Sequence, residues 1–228
     1  MSAVDIYLGL TQGAVASPRG DVQWCEYAQF EQGADVLFAR AAQVATSRWG
    51  RRGARVWLSG ALARPFLCGP VSGLKRWREV IELAQSAAVE ASGIEAPCAV
   101  SVESWPHPKP AMAVAVGTAA LDTVERTAHA HRVPVRSLRP WWAWALGHTF
   151  ARDASMVAVT DSDSMTVFIE QAERLHMVSG YVPSPSPEQA DKLRARLALT
   201  DGAGLEALVR IDLSHEQPFG SASEKAAA

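Results

Sequence analysis

The run Asp161-Ser162-Asp163-Ser164 sets carboxylates at alternate positions, which supplies oxygens on one side, as the start of a Ca²⁺ loop does. It lacks the glycine and the distal glutamate of an EF-hand loop, so a solvated β-hairpin turn is expected there. His129 and His131 are two positions apart, about 200° around a helix, and do not form the i, i+4 pair of a zinc helix. Ser59, Gly60 and Ser72-Gly73 never build the G-x-S-x-G elbow of a serine nucleophile. The first strand is not followed by the glycine-rich turn of a dinucleotide site. Cys25, Cys68 and Cys98 are widely spaced in apolar contexts and read as reduced, buried thiols. No catalytic residue, metal ligand or cofactor is therefore expected.

Two basic clusters, one at Arg48, Arg51, Arg52 and Arg55 and one at Arg132, Arg136 and Arg139, lack aromatic interleaving and read as solvated helix ends. An acidic peptide or a lipid head group could use them. With a net charge of -2 over 228 residues, composition offers no reason to expect nucleic acid. Successive residues lie about 100° apart on a helix, so Trp141, Trp142 and Trp144 cannot all face one core. No stretch approaches the roughly 20 apolar residues of a membrane span. Met1 to Leu10 lacks the basic start and apolar run of a signal peptide, so a cytoplasmic chain is expected.

The elements that must position these groups alternate between strand and helix. Asp5 to Thr11 reads as a strand and Val22 to Phe30 as its hairpin partner, across a turn at Ser17 to Asp21. Ala34 to Trp49 has helical spacing, Ala54 to Ser59 is a short buried strand, and Pro65 to Leu67 a second one. Leu74 to Val89 is a long amphipathic helix, and Cys98 to Val102 returns as a strand. From Met112 to Met177 the order is strand, helix, short strand and helix, then a meander of Met156 to Thr160, Ser164 to Glu170 and Arg174 to Val178. Glu188 to Leu199 reads as a helix and Leu205 to Leu213 as a last strand.

This order resembles the actin-like ATPase fold, and within it the PilM-like proteins of type IV pilus assembly and the cytoplasmic part of the type II secretion protein GspL. The resemblance rests on RVWLSGALARPFL, Arg55 to Leu67, with the long helix after it, and on VAVGTAALDTVERTAHAHRVPVRSLRPWWAWAL. It implies an α/β fold of actin-like (ribonuclease H-like) lobes with an inserted α/β subdomain and a truncated second lobe, about fifty residues following Val178. The implied boundaries are 4–31 and 111–151 for the first lobe, 32–110 for the insert, 152–214 for the second lobe and 215–228 for a flexible tail.

In such folds each lobe opens with Asp, Gly and small hydroxylated residues whose N–H groups cradle phosphate. Here Gly9 and Thr11 stand at the Asp and Gly positions of the first turn, and Ala158 or Val157 and Thr160 or Val159 at those of the second. Thr11, Gln12, Gly13, Ser162 and Ser164 remain as vestiges able to touch an anion, while Asp161 and Asp163 would repel a nucleotide. The resemblance thus implies a non-catalytic scaffold that takes no cofactor. Its partner would be a short cytoplasmic peptide of a single-pass inner-membrane protein, which recruits the chain to the membrane, with a homodimer left open. The peptide groove would lie between first lobe and insert, walled by Leu8 to Gln12, Arg55 to Leu67 and Ala111 to Val116. Trp57, Leu58, Phe66, Leu67 and Trp142 are the expected contacts. The alternative is a residual ATP-binding switch on Thr11, Gln12, Ser162 and Ser164.

Overall fold

The computed structural model describes residues 3–17, 21–44, 46–47, 50–51, 53–69, 73–104, 111–146, 156–161, 163–171, 174–183 and 208–212. In chain order the elements are β1 (Val4–Leu8), β2 (Gln12–Ala16), β3 (Val22–Glu26), α1 (Phe30–Val44), β4 (Thr46–Ser47), β5 (Gly50–Arg51), β6 (Ala54–Leu58), β7 (Ala63–Cys68) and α2 (Trp77–Ser92). They continue with β8 (Cys98–Ser104), β9 (Ala111–Gly117), α3 (Thr118–Ala130), β10 (Val135–Pro140), α4 (Trp141–Leu146), β11 (Met156–Thr160), β12 (Ser164–Gln171), β13 (Arg174–Pro183) and β14 (Leu208–Asp212).

The first sheet has the order β10-β6-β1-β2-β3. Its central strand VDIYL, paired on both edges, is almost entirely buried on both faces. β1 runs antiparallel to β2, pairing Leu8 with Gly13, and parallel to β6, pairing Leu8 with Leu58. On the same register Asp5 lies beside Arg55 and accepts from its Nε (2.8 Å) and from Trp57 Nε1 (2.9 Å). Arg55 is thus a partner within the sheet, not one of a solvated helix end.

α1 lays Ala34, Leu37, Phe38 and Ala41 on this sheet. Gly33 and Gly13 allow the approach: a Cβ on Gly33 would lie 2.3 Å from the Tyr27 ring, and one on Gly13 2.3 Å from Leu37 Cδ1. Gly13 is therefore a packing residue under the helix, which corrects the expectation that it faces an anion. Across the outer surface His131 Nε2 meets Asp35 Oδ1 at 2.7 Å, tying the end of α3 to α1.

A separate antiparallel sheet, β7-β9-β8, carries α2 on one face. Its small core joins Phe66, Cys68, Ala111, Ala113 and Ala115 to Val80, Ala84 and Ala88 of the helix. α2 starts where the Glu79 carboxylate accepts the N–H groups of Lys75 and Arg76, and stops at Gly93, whose φ of 65° favours glycine. The third sheet, β13-β12-β11-β14, repeats the logic of the first: an antiparallel meander whose opening strand β11 pairs in parallel with β14. β4 and β5 form a two-stranded ribbon.

Two expectations change. The partner of β1 is β2, not the segment Val22–Phe30, and the first hairpin turn falls at Gly9 to Thr11. QGAVA is short and made largely of small residues, so it carries no alternating signal. Sheet membership also cuts across the expected boundaries. β6 and α1 pack with the first sheet although they fall within the expected insert 32–110, and β9 pairs with β7 and β8 although it falls within the expected first lobe 111–151. β11 to β14 fall within 152–214. The expected helix Glu188–Leu199 and the tail 215–228 lie outside the described residues. No described helix is long and apolar enough to cross a membrane.

Two tryptophans join the parts. Trp141, fully buried, packs against Tyr7 at 5.5 Å and Trp57 at 5.8 Å between ring centroids. Trp142 points the other way: its Nε1 donates to the Ala63 carbonyl of β7 at 2.9 Å and its ring meets Phe168 of β12 at 5.2 Å. One continuous apolar cluster consequently runs from the first sheet through both indoles to Val157, Val159 and Phe168.

Candidate functional site

The first and third sheets meet at their opening hairpin turns. In the first turn Gly9 N–H donates to the Gln12 carbonyl at 2.9 Å. Tyr27 fastens it, its hydroxyl reaching the carbonyls of Gly9 (2.8 Å) and Gln12 (2.6 Å) while its own N–H donates to the Thr11 carbonyl (2.8 Å). Burial, with Asp163 and Cys25 nearby, pushes the Tyr27 phenol well above its ordinary value, so it stays a neutral donor. This fastening leaves the Leu10 N–H pointing away from its own hairpin.

The second turn closes through Asp161 N–H on the Ser164 carbonyl at 2.8 Å. Asp161 Oδ1 gathers three further donors of its own turn: Asp163 N (3.0 Å), Ser164 N (2.8 Å) and Ser164 Oγ (2.8 Å). Its Oδ2 accepts the Gly60 N–H, from the loop after β6, at 2.7 Å. Asp163 reaches the first turn: Oδ2 accepts the Leu10 N–H and Oδ1 the Thr11 hydroxyl at 3.2 Å. Both carboxylates are 6% exposed. Burial raises the Asp161 carboxyl to about 6, against the lowering effect of the hydrogen bonds from Gly60, Asp163 and Ser164.

Gly60 marks how close the contact is. A Cβ there would lie 2.6 Å from Ser164 Oγ and 2.7 Å from Thr166 Oγ1, both hydroxyls belonging to buried residues. Beside these groups in sequence, the buried hydroxyls of Ser59 and Thr160 have no hydrogen-bond partner among the described residues.

Of the expected vestiges, Thr11 is at the junction but spends its hydroxyl on Asp163. Ser164 is fully buried and donates inward to Asp161, which corrects its assignment to an anion. Gln12 contributes its carbonyl to the closure of the first turn, and Ser162 lies outside the described residues. The junction's principal donors are backbone N–H groups, at Leu10 and Gly60, which no side-chain pattern announces. The available signal was Ser59-Gly60 directly after a buried strand. Asp161 and Asp163, expected to face solvent in a hairpin turn, are buried acceptors instead.

The expected peptide contacts are also corrected. Trp57, Leu58, Phe66 and Trp142 are 8%, 1%, 1% and 1% exposed and belong to the cores, with only Leu67 half-buried. Concave apolar surface lies instead along β10, an edge strand of the first sheet. On one side a groove of about 720 Å³ runs between α3 and β10, lined by Leu121, Val124, Ala128, Val133, Val135 and Leu138, with His129 and Arg132 on its rim. On the other, about 200 Å³ opens toward the insert, lined by Ala99, Ser101, Glu103, Val116 and Arg139. Leu121 and Leu138 line both. The smaller groove keeps Leu58, Ala63, Val114 and Val116 of the expected walls, whereas Leu10 and Thr11 lie at the turn junction.

The two meanders joined at their opening turns, with a subdomain inserted after the fourth strand of the first sheet, define the actin-like ATPase fold. Solved structures share it, among them the following three. The cytoplasmic domain of EpsL, an inner membrane component of the type II secretion system of Vibrio cholerae, matches over 93% of this chain and 83% of that one, with a TM-score of 0.55 at 15% identity. A Bacteroides thetaiotaomicron protein with actin-like ATPase fold and unknown function matches over 92% and 81%, with a TM-score of 0.57 at 6% identity. The PilM-PilN type IV pilus biogenesis complex matches over 90% and 67%, with a TM-score of 0.54 at 12% identity. No protein-family model and no curated protein sequence matches the chain.

Proposed function

We propose that this chain is a non-catalytic scaffold that binds the cytoplasmic peptide of a membrane-anchored partner in a pilus or secretion machine. The observation that carries the reading is the edge strand β10 running between two apolar grooves. An edge strand offers unpaired backbone groups to an extended peptide, and flanking pockets take its alternate side chains. Arg132, Arg136 and Arg139 stand along the same strand and its approach, which favours a peptide of acidic character. The fold likeness to the EpsL cytoplasmic domain and to the PilM-PilN complex supports the kind of machine. On this reading the chain is cytoplasmic and reaches the inner membrane through its partner.

The reading without hydrolysis is supported by the turn junction, where Asp161 and Asp163 accept the N–H groups of Gly60 and Leu10 that a phosphate would otherwise need. The test is calorimetric titration with synthetic cytoplasmic segments of single-pass membrane proteins encoded beside this gene. Saturable binding to one of them is expected, lost in Val135→Asp. Val135 is 37% exposed on an edge strand, so that change should cost about 1 kcal/mol of stability and leave the chain folded. Binding by none of the segments, or equal binding by the variant, overturns the reading.

A further inference from the structure

We propose that Asp161 and Asp163 are an internal clasp that holds the first and third sheets together without a bound ligand, Asp163 acting as a built-in anion for the first turn. The inference concerns how the two sheets are joined and does not depend on the peptide-binding reading.

Three donors of the first sheet and its loops, Leu10 N–H, Thr11 hydroxyl and Gly60 N–H, converge on two carboxylates of a turn more than a hundred residues away. Neither carboxylate has a salt bridge to Lys, Arg or His among the described residues. A buried carboxylate without a counter-cation must be compensated by fixed dipoles, and backbone N–H groups at a turn supply them. The first turn is also braced independently of Asp163: the Tyr27 hydroxyl reaches the carbonyls of Gly9 and Gln12, on either side of Leu10 in sequence. The space is also filled. Gly60 lies so close to Ser164 and Thr166 that even a methyl group does not fit between them. Carboxylate and external oxyanion therefore compete for one position, and the resident carboxylate is always present.

The test combines amide hydrogen exchange with chemical rescue of the full chain, free of nucleotide. In the wild type, Leu10 and Gly60 amides should be protected, and formate should act on the melting temperature no differently from chloride at equal ionic strength. In Asp163→Ala, protection of Leu10 should fall at least about tenfold as the charged acceptor is lost. Formate, which matches the deleted carboxylate, should restore it saturably while chloride does not. Unprotected Leu10 in the wild type, unchanged protection in the variant, or equal effects of formate and chloride on the variant each overturn the clasp. If Asp163→Ala does not fold, the isosteric Asp163→Asn decides. Reduced Leu10 protection without formate rescue supports a built-in anion, and wild-type protection refutes it.

Discussion

Asp161 is the residue whose chemistry departs furthest from what its neighbourhood in the sequence suggests. Its carboxyl is raised to about 6 because burial outweighs four hydrogen bonds. For a carboxyl raised above its ordinary value of 3.8, the folded state holds the proton more tightly than the unfolded chain. The stability it contributes is therefore complete below about pH 4 and is lost as pH rises through about 6. The charged group that faces it is Asp163, with the neutral Tyr27 phenol beyond. Asp161→Asn should remove this component: the difference in melting temperature, wild type minus variant, grows as pH falls from 7 to 5. A flat or inverted difference would refute the assignment. Gly60→Ala forces a methyl against two buried hydroxyls and should cost about 1–3 kcal/mol in urea unfolding. A substitution with no cost would mean that the loop after β6 and the second turn are not in contact in solution.

Among the elements, α4 is short yet joins three sheets through consecutive indoles that point in opposite directions. Replacing Trp142 with Phe keeps a ring beside Phe168 but removes the donor from the Ala63 carbonyl. Leaving a buried carbonyl without that bond should cost about 1–3 kcal/mol, read from the midpoint of denaturant unfolding. Most helices and strands were legible from pattern. The spacing that predicts a helix from Leu74 to Val89 describes α2, and the meander expected after Met156 is β11 to β13. β2 was not legible, because Gly13, Ala14 and Ala16 have too little side chain for alternation to show. The sheet membership of β6 and β9 was hidden for a different reason: both are short apolar strands, and only hydrogen-bond pairing assigns them to different sheets.

For the whole molecule, the filled turn junction and the open grooves along β10 make opposite predictions for small and large ligands. Millimolar ATP with Mg²⁺ should leave the melting temperature unchanged, since a ligand stabilises only by binding the folded state. A saturable rise would restore the alternative of a nucleotide switch. A peptide that adds to β10 should raise the melting temperature in proportion to its occupancy and protect amides of Val135 to Pro140 from exchange. Protection confined to other strands would place the docking surface elsewhere.

By itself the sequence determined the α/β class and the order of most elements, since the spacing of apolar residues is a local fact of the chain. Tertiary structure alone decided where Asp161 and Asp163 point. Like charges two positions apart read as a solvated turn. They become buried acceptors only because Leu10 and Gly60, distant in the chain, bring backbone N–H groups to them. It also decided which aromatic residues are available to a partner. Trp57, Phe66 and Trp142 were expected on a groove and are core, because burial depends on which sheets close over them.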